Sequence, residues 1–338
     1  MGYLKRAEIK TEATVDQFYA LVEEDIKNLF LDEDKKQLKE ASCQRIACPV
    51  CGSEKFDKVY EKRWFTYGRC AGCQFFYVNP RPTHEAIVNY YGKAKANRFF
   101  QEKIIEPTID VRLERIFKPR LELLNQIYPQ KGKLLDVGCS IGLFLELAKK
   151  DGWEPYGVEF SDVAVEACKQ KGVKVSTLPI EQSDFPDNYF DVISLWEVLE
   201  HVIAPDKVIE GCFKRLRPSG KLIITVPNIA AIEFQVLGKE HTNISAPIHL
   251  NYFSPDQLAA FLKSKGFKIE SVETPGQMDV DNIRTGLKKG QIKSTGSLFL
   301  DNLFLDDASS GELRRELFQE FIRKAKLSGH LRVIARKP

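Results

Sequence analysis

From residue 133 onward, short β-rich apolar runs alternate with amphipathic stretches of helix length. That alternation restricts the chain to an α/β fold on a largely parallel sheet. Strands are predicted at 133–138, 155–159, 173–176, 190–196 and 221–226, with helical stretches at 141–150, 161–171 and 204–217. A further helix opens at Ser254-Pro255-Asp256-Gln257 and ends at Gly266. Its start combines a Ser cap, a Pro at the first helical position and a Gln at the third. Strands at 267–273 and 331–336 bring the count to seven. Residues 275–329 interrupt the last hairpin and are far too long for a turn. Leu298, Phe299, Leu303, Phe304, Leu313, Leu317, Phe318 and Phe321 predict two inserted helices there.

The first strand–helix junction is Leu134-Leu135-Asp136-Val137-Gly138-Cys139-Ser140-Ile141-Gly142. A strand, a tight turn and a helix N-terminus make a nucleotide-binding crevice at the strand's carboxyl end. Gly138 and Gly142 let backbone approach a ligand where a Cβ would collide. The D-x-G-x-x-x-G spacing is neither the dinucleotide G-x-G-x-x-G nor a P-loop, since no Gly-Lys-Ser/Thr follows. It resembles motif I of the class I S-adenosylmethionine (SAM) methyltransferases. That resemblance implies a Rossmann-like seven-stranded sheet with its last strand antiparallel. It also implies that the loop of Asp136, Gly138, Cys139 and Gly142 holds the methionine part of SAM.

Downstream matches follow in the same order. Glu159 ends the second strand, where an acid can accept both ribose hydroxyls. Phe160 is then placed by the resemblance to touch adenine. Phe185-Pro186-Asp187-Asn188-Tyr189-Phe190-Asp191-Val192-Ile193 resembles a phrase of the family, which implies that Ile180 and Glu181 line the adenine pocket. Trp196 and Glu197 follow the fourth strand, at the family's border between cofactor and substrate.

The amino-terminal half carries a second pattern. Cys48-Pro49-Val50-Cys51 and Cys70-Ala71-Gly72-Cys73 are two C-x2-C knuckles eighteen residues apart. Together they specify a closed tetrahedral zinc site, which leaves no open position for chemistry and makes the metal structural. Residues 56–60 and 64–68 read as two short strands of a zinc ribbon, and Cys43 lies outside the ligand pattern. Seven basic side chains stand against three acids between residues 43 and 82. Trp64, Phe65 and Tyr67 are therefore either the ribbon's miniature core or a platform for nucleobases. Tyr77-Val78-Asn79-Pro80-Arg81-Pro82 resembles a phrase that closes similar ribbons in bacterial methyltransferases, sugar C-methyltransferases among them. The resulting division is a helical arm over 1–42, the ribbon over 43–82, a helical linker or lid over 83–130, and the methyltransferase domain over 131–338. Within the arm, residues 14–30 are helical in pattern, with Thr14 as a possible cap.

Composition narrows the functional classes. A net charge of +3 over 338 residues disfavours a large nucleic-acid footprint. No apolar run reaches the ~18 residues of a membrane helix. MGYLKRAEIK has no apolar signal core, and Arg6 stands where a myristoylation signal needs Ser or Thr. A cytoplasmic protein with reduced thiols is expected. No N-P-P-Y/F follows the fourth strand, which disfavours N-methylation of bases, and no Cys follows the fourth or fifth strand, as covalent cytosine C5-methylation requires. A small-molecule O- or C-methyltransferase acting on a sugar, nucleotide-sugar or secondary-metabolite precursor remains. The alternatives are RNA methylation through the ribbon, or a catalytically silent SAM-binding scaffold.

The candidate catalytic residues are Glu197, His201, His249 and Tyr252. Glu197-Val198-Leu199-Glu200-His201 sets Glu197, Glu200 and His201 on one helical turn, a spacing that suits a second divalent metal as well as a general base. This phrase resembles one in the ubiquinone O-methyltransferases and in small-RNA 2′-O-methyltransferases. His249-Leu250-Asn251-Tyr252-Phe253-Ser254 is similar to a phrase of the ubiquinone-type and sugar-methyltransferase branch. His249 or His201 is the expected base, with loop anchoring as the other reading of His249.

Overall fold

A computed structural model of the chain describes residues 12–34 and 36–338. The amino-terminal decapeptide read above for targeting signals lies outside the described residues. In chain order the strands are β1 (Cys43–Gln44), β2 (Phe56–Lys62), β3 (Phe65–Cys70), β4 (Phe76–Val78), β5 (Arg81–Pro82), β6 (Lys133–Val137), β7 (Glu154–Val158), β8 (Lys174–Ser176), β9 (Phe190–Trp196), β10 (Leu216–Pro227), β11 (Asn251–Tyr252), β12 (Lys268–Glu273) and β13 (His330–Arg336). Two structural units share them. One comprises 110–226, 255–273 and 331–338; the other comprises the residues up to Ile109, 227–254 and 274–330.

The first unit holds a seven-stranded sheet in the order β12-β13-β10-β9-β6-β7-β8. β6 pairs in parallel with both β7 and β9, and β13 runs antiparallel to β12. The chain starts at the centre, steps outward through β7 and β8, and returns to β9 on the other side of β6. A doubly wound sheet binds ligands at such a reversal, outside the carboxyl ends of its strands. Every residue of β9 is buried, which is why it reads as an unbroken apolar run and not as an alternation. Leu134, Leu135, Ile193 and Leu195 are fully enclosed, each stabilising the fold by about 1.5–3 kcal/mol through burial. The crossover helices are Leu143–Lys150, Asp162–Gln170 and Pro205–Arg215, and a further helix spans Pro255–Ser264. These elements follow the predicted boundaries closely. β10 is the exception, because it begins at Leu216 and not at 221.

The second unit is assembled from three segments remote in sequence. Its larger sheet has the order β11-β4-β3-β2, so the ribbon's two expected strands gain β4 and then β11, which comes from beyond β10. Arg81 is fully buried and its Nη2 donates to Asn251 Oδ1 at 3.0 Å, a tie across 170 positions of sequence. Asn79 closes the ribbon's other end, accepting from Ile46 N and donating to Ile46 O, each at 3.1 Å.

The amino-terminal helix spans Glu12–Leu29 and already includes Thr14. Val15, Val22 and Ile26 on its inner stripe are buried, and Asp25 accepts from Lys95 N and Ala96 N. Between 275 and 329 there are three helices, Asp279–Lys288, Leu298–Leu305 and Ser309–Lys324, where two were expected. Val280, Ile283, Phe304 and Ile322 form their shared core. The first of the three is sparse in apolar residues, so its pattern is faint in the sequence.

Candidate active site

At the end of β6, Asp136 is buried and its Oδ1 accepts from Ser194 Oγ at 2.6 Å. Burial pushes its pKa up to about 7, against the pull of Ser194 and of the Arg120 guanidinium. Gly138 and Gly142 both take left-handed backbone, with φ +72 and +74. A Cβ at Gly138 would lie 2.8 Å from Val198 Cγ2, and one at Gly142 would lie 2.8 Å from Cys168 Sγ. Side chains are excluded at both positions by conformation and by space. Cys139, between them, is buried, and its Sγ lies 3.9 Å from that of Cys168.

Glu159 follows β7. Its Oε1 accepts from Phe160 N at 2.7 Å and Ser161 N at 3.0 Å, and its Oε2 accepts from Ser140 N at 2.9 Å. Those three donors fill both lone pairs of Oε1 and one of Oε2. A diol that used both oxygens would displace at least one backbone donor. Phe160 is 63% exposed, an unusual state for an aromatic at the ligand end of a sheet. Ile180 is buried, and the Oε2 of Glu181 is buried without a hydrogen-bond partner. Trp196 closes β9, and its indole Nε1 is likewise buried and unpartnered. Two polar atoms without a partner among the described residues, and a glycine loop that no Cβ can enter, suit a polar, nucleoside-bearing cofactor.

Arg120 belongs to this site and has no signal in the sequence. It lies on the helix Lys118–Ile127, with its guanidinium 4.7 Å from the Trp196 ring centre. Burial lowers its pKa, opposed by the nearby carboxylates of Glu197 and Asp136. Only a basic residue beside the helix's buried Leu121 and Leu124 could have hinted at it.

Beyond Trp196 the backbone turns sharply, with Glu197 at φ +57. Glu200 is buried and its Oε2 has no hydrogen-bond partner. Burial, then the charge of Glu197, hold its carboxyl well above the usual carboxylate range. His201 Nε2 stands 3.6 Å from Glu200 Oε1. The other two candidates belong to the second unit. Tyr252 is buried in β11, its hydroxyl reaching Asn243 O and His249 O at 3.1 Å each, and burial raises its pKa well above that of a free phenol. His249 Nδ1 lies 3.0 Å from the same Asn243 carbonyl.

The four cysteines converge. Cys48 and Cys73 sulfurs are 3.6 Å apart, those of Cys51 and Cys70 are 3.5 Å apart, and all four lie within 4.8 Å of one another. A disulfide needs about 2.05 Å. The edge of a tetrahedron with metal–sulfur bonds of about 2.3 Å is roughly 3.8 Å, so the spacing is that of ligands. The two knuckles close alike: Gly52 N donates to Cys48 O and Gln74 N to Cys70 O, both at 2.8 Å. Phe65 and Tyr67 are fully buried, and Trp64 is half-buried beneath the Lys27 ammonium. Phe65 and Tyr67 are therefore core residues, packed against Phe30 and Tyr252 respectively.

A doubly wound seven-stranded sheet with an acid–glycine loop after its central strand defines a class I methyltransferase domain. Comparison with known proteins agrees. Residues 110–272 match the family model described as a methyltransferase domain. The ubiquinone biosynthesis O-methyltransferase of Xanthomonas euvesicatoria pv. vesicatoria is 29% identical over 196 residues, which is 53% of this chain and 79% of that protein. The protein of the same name from Coxiella burnetii is 29% identical over 163 residues, covering 44% of this chain and 70% of that one. Among solved structures, phosphoethanolamine N-methyltransferase 2 of Haemonchus contortus, in complex with SAM, shares the fold at 17% identity. The match has a TM-score of 0.50 and covers 83% of this chain and 71% of that one. Residues 110–272 therefore form a SAM-dependent methyltransferase domain.

Proposed function

We propose that the protein methylates an oxygen, or an acidic carbon, of a small molecule, and that Glu200 accepts the proton the acceptor gives up. The observation that carries this reading is the buried Glu200 carboxyl beyond β9, with one oxygen unpartnered and its pKa raised. A carboxylate made more basic than usual by burial is better suited to take a proton from a hydroxyl. Oxygen is favoured because both relatives described above are named O-methyltransferases.

Bound SAM supplies an electrophilic methyl group on a sulfonium. The loop of Asp136, Gly138, Cys139 and Gly142 would seat its methionine part, and Glu159 its ribose. Phe160, Ile180 and Glu181 would enclose its adenine, and Trp196 would border the acceptor. His201, 3.6 Å from Glu200, would pass the captured proton on. Glu197 and Arg120 oppose each other in charge and would set the field around the reacting atoms. Tyr252, with its hydroxyl bound to two carbonyls, and His249, held by one of them, would position the 243–252 segment. Cys48, Cys51, Cys70 and Cys73 would hold a structural zinc ion. Against RNA methylation through the ribbon stands the burial of Phe65 and Tyr67, two of its three candidate stacking rings.

The test is to incubate the purified chain with methyl-labelled SAM and separated fractions of a bacterial extract. Label is expected in the low-molecular-weight fraction, in a base-stable ether or C–methyl product. Label confined to RNA or protein would sink the proposal.

A further inference from the structure

A cavity of about 250 Å³ lies wholly within the unit that carries the four cysteines. Tyr19, Lys62, Arg63, Glu233 and Asn282 stand in its wall. These residues come from the amino-terminal helix, the ribbon hairpin and the two later segments, so the complete unit is needed to form it.

The hairpin is the informative part. Lys62 pairs with Phe65 across it, leaving Arg63 and Trp64 as a two-residue turn with φ 48 and 68. Left-handed backbone at both central positions is ordinarily the place of Asn-Gly, and a bulky residue is strained there. Strain held at a cavity wall points to side chains kept for what they contact.

Three carboxylates, Asp16, Glu233 and Glu240, share the cavity wall with Lys62 and Arg63. Asp16 is engaged by Lys289 at 2.8 Å, and Glu233 by His241 at 2.7 Å and Asn282 at 2.9 Å. Lys62 Nζ donates to the His241 carbonyl at 3.1 Å, which leaves two of its protons. The Arg63 guanidinium lies 5.0 Å from the Tyr19 ring centre, and its Nη1 is buried without a hydrogen-bond partner among the described residues. Burial, then the like charge of Arg63, pull the Lys62 pKa down to about 8, and Glu240 alone offsets part of this while Lys239 adds to it. A buried charged donor without an acceptor costs more than a neutral one does, and an anion removes that cost. A guanidinium fork beside an ammonium matches the two or three oxygens of a carboxylate or phosphate.

We propose that this cavity binds a small molecule through an oxyanion, carboxylate or phosphate, which Arg63 and Lys62 grip while Asn282 and Glu233 meet its hydroxyl groups. The inference concerns binding alone and does not depend on which atom receives a methyl group.

The experiment is calorimetric titration of the full zinc-loaded chain with glucose 6-phosphate, citrate, inorganic phosphate and, as the neutral control, glucose. At least one anionic probe is expected to bind with a Kd at or below about 1 mM, and glucose is not. Arg63→Gln and Lys62→Met should each weaken that binding by about tenfold or more, and added salt should weaken it in the parent chain. Tighter binding of the phosphate probes assigns a phosphate ligand, and tighter binding of citrate a carboxylate. SAM titration of the same variants should give the parent affinity, which separates this site from the one in the other unit. The inference is overturned if no anionic probe binds below about 10 mM. It is equally overturned if both variants bind as the parent does.

Discussion

The two units of this chain reach stable folds by opposite routes. The seven-stranded unit takes its first five strands from one unbroken run, and except at the step from β8 to β9 each strand lies beside the one before it. The cysteine-bearing unit takes its parts from three separated segments and completes its larger sheet with the two-residue strand β11. In the first, the apolar core holds the fold and the ligand loops ride on strand ends. In the second, aromatic residues, buried polar ties such as Arg81–Asn251 and a four-sulfur cluster do the holding. A core of apolar strands tolerates single changes at its rim, whereas a stitched unit concentrates its stability in a few points.

The largest expected effect tests that contrast. If the four cysteines hold the proposed zinc, the parent chain should carry one tightly bound ion, and Cys70→Ser should abolish it and open the four-stranded sheet, since structural zinc contributes about 10–16 kcal/mol in small sites. Metal analysis and limited proteolysis would register both losses. SAM calorimetry on the same variant should remain close to the parent, and loss of SAM binding would show that the two units are not independent in this respect.

Next comes Glu200→Gln, expected to lower turnover by about 10²–10⁴-fold with SAM affinity nearly unchanged, the range for a lost general base. The parent rate should fall with decreasing pH through the raised pKa of Glu200, because the protonated carboxyl cannot take a proton. A rate loss matched by an equal loss of SAM affinity would remove Glu200 from the chemistry.

Glu159→Ala should raise the SAM Kd by roughly 10–150-fold, the equivalent of the ~1.5–3 kcal/mol of a hydrogen bond to a charged group. An unchanged Kd would refute the ribose assignment.

The smallest effect concerns Asp136. Its folded pKa is raised to about 7 from 3.8, so the folded chain favours the protonated form. That contribution to stability is complete below the unfolded value and is lost as pH rises through 7. The unliganded chain should therefore lose stability progressively between about pH 4 and 7, by at most about 1.4 kcal/mol per pH unit, with little further loss above that. Asp136→Asn should flatten this slope, and an equal slope in both proteins would contradict the shift.

The sequence legibility of the two units differs for the same physical reason. All seven strands of the larger sheet were readable because apolar period and helix caps are local signals, and every residue of β9 is buried. The four cysteines were readable because ligand spacing is local too. Arg120 was not, since its place over Trp196 depends on how one helix packs against a strand end. β11 was not, because two residues carry no period. Phe65 and Tyr67 were ambiguous until their burial was known, and the helix Asp279–Lys288 was hidden by its polar surface.

The tie between Arg81 and Asn251 has a consequence for synthesis in the cell. Its two ends are 170 residues apart, so at about 5–20 residues per second the second leaves the ribosome roughly 10–30 s after the first. For that interval the nascent chain presents β4 with one edge open and Phe75 without Phe253, its neighbour at 4.8 Å in the finished protein. An open edge lined with aromatics is a template for pairing with other chains. Yield of soluble protein should thus respond to translation pace and to chaperone supply between those two points, even where the mature chain is stable.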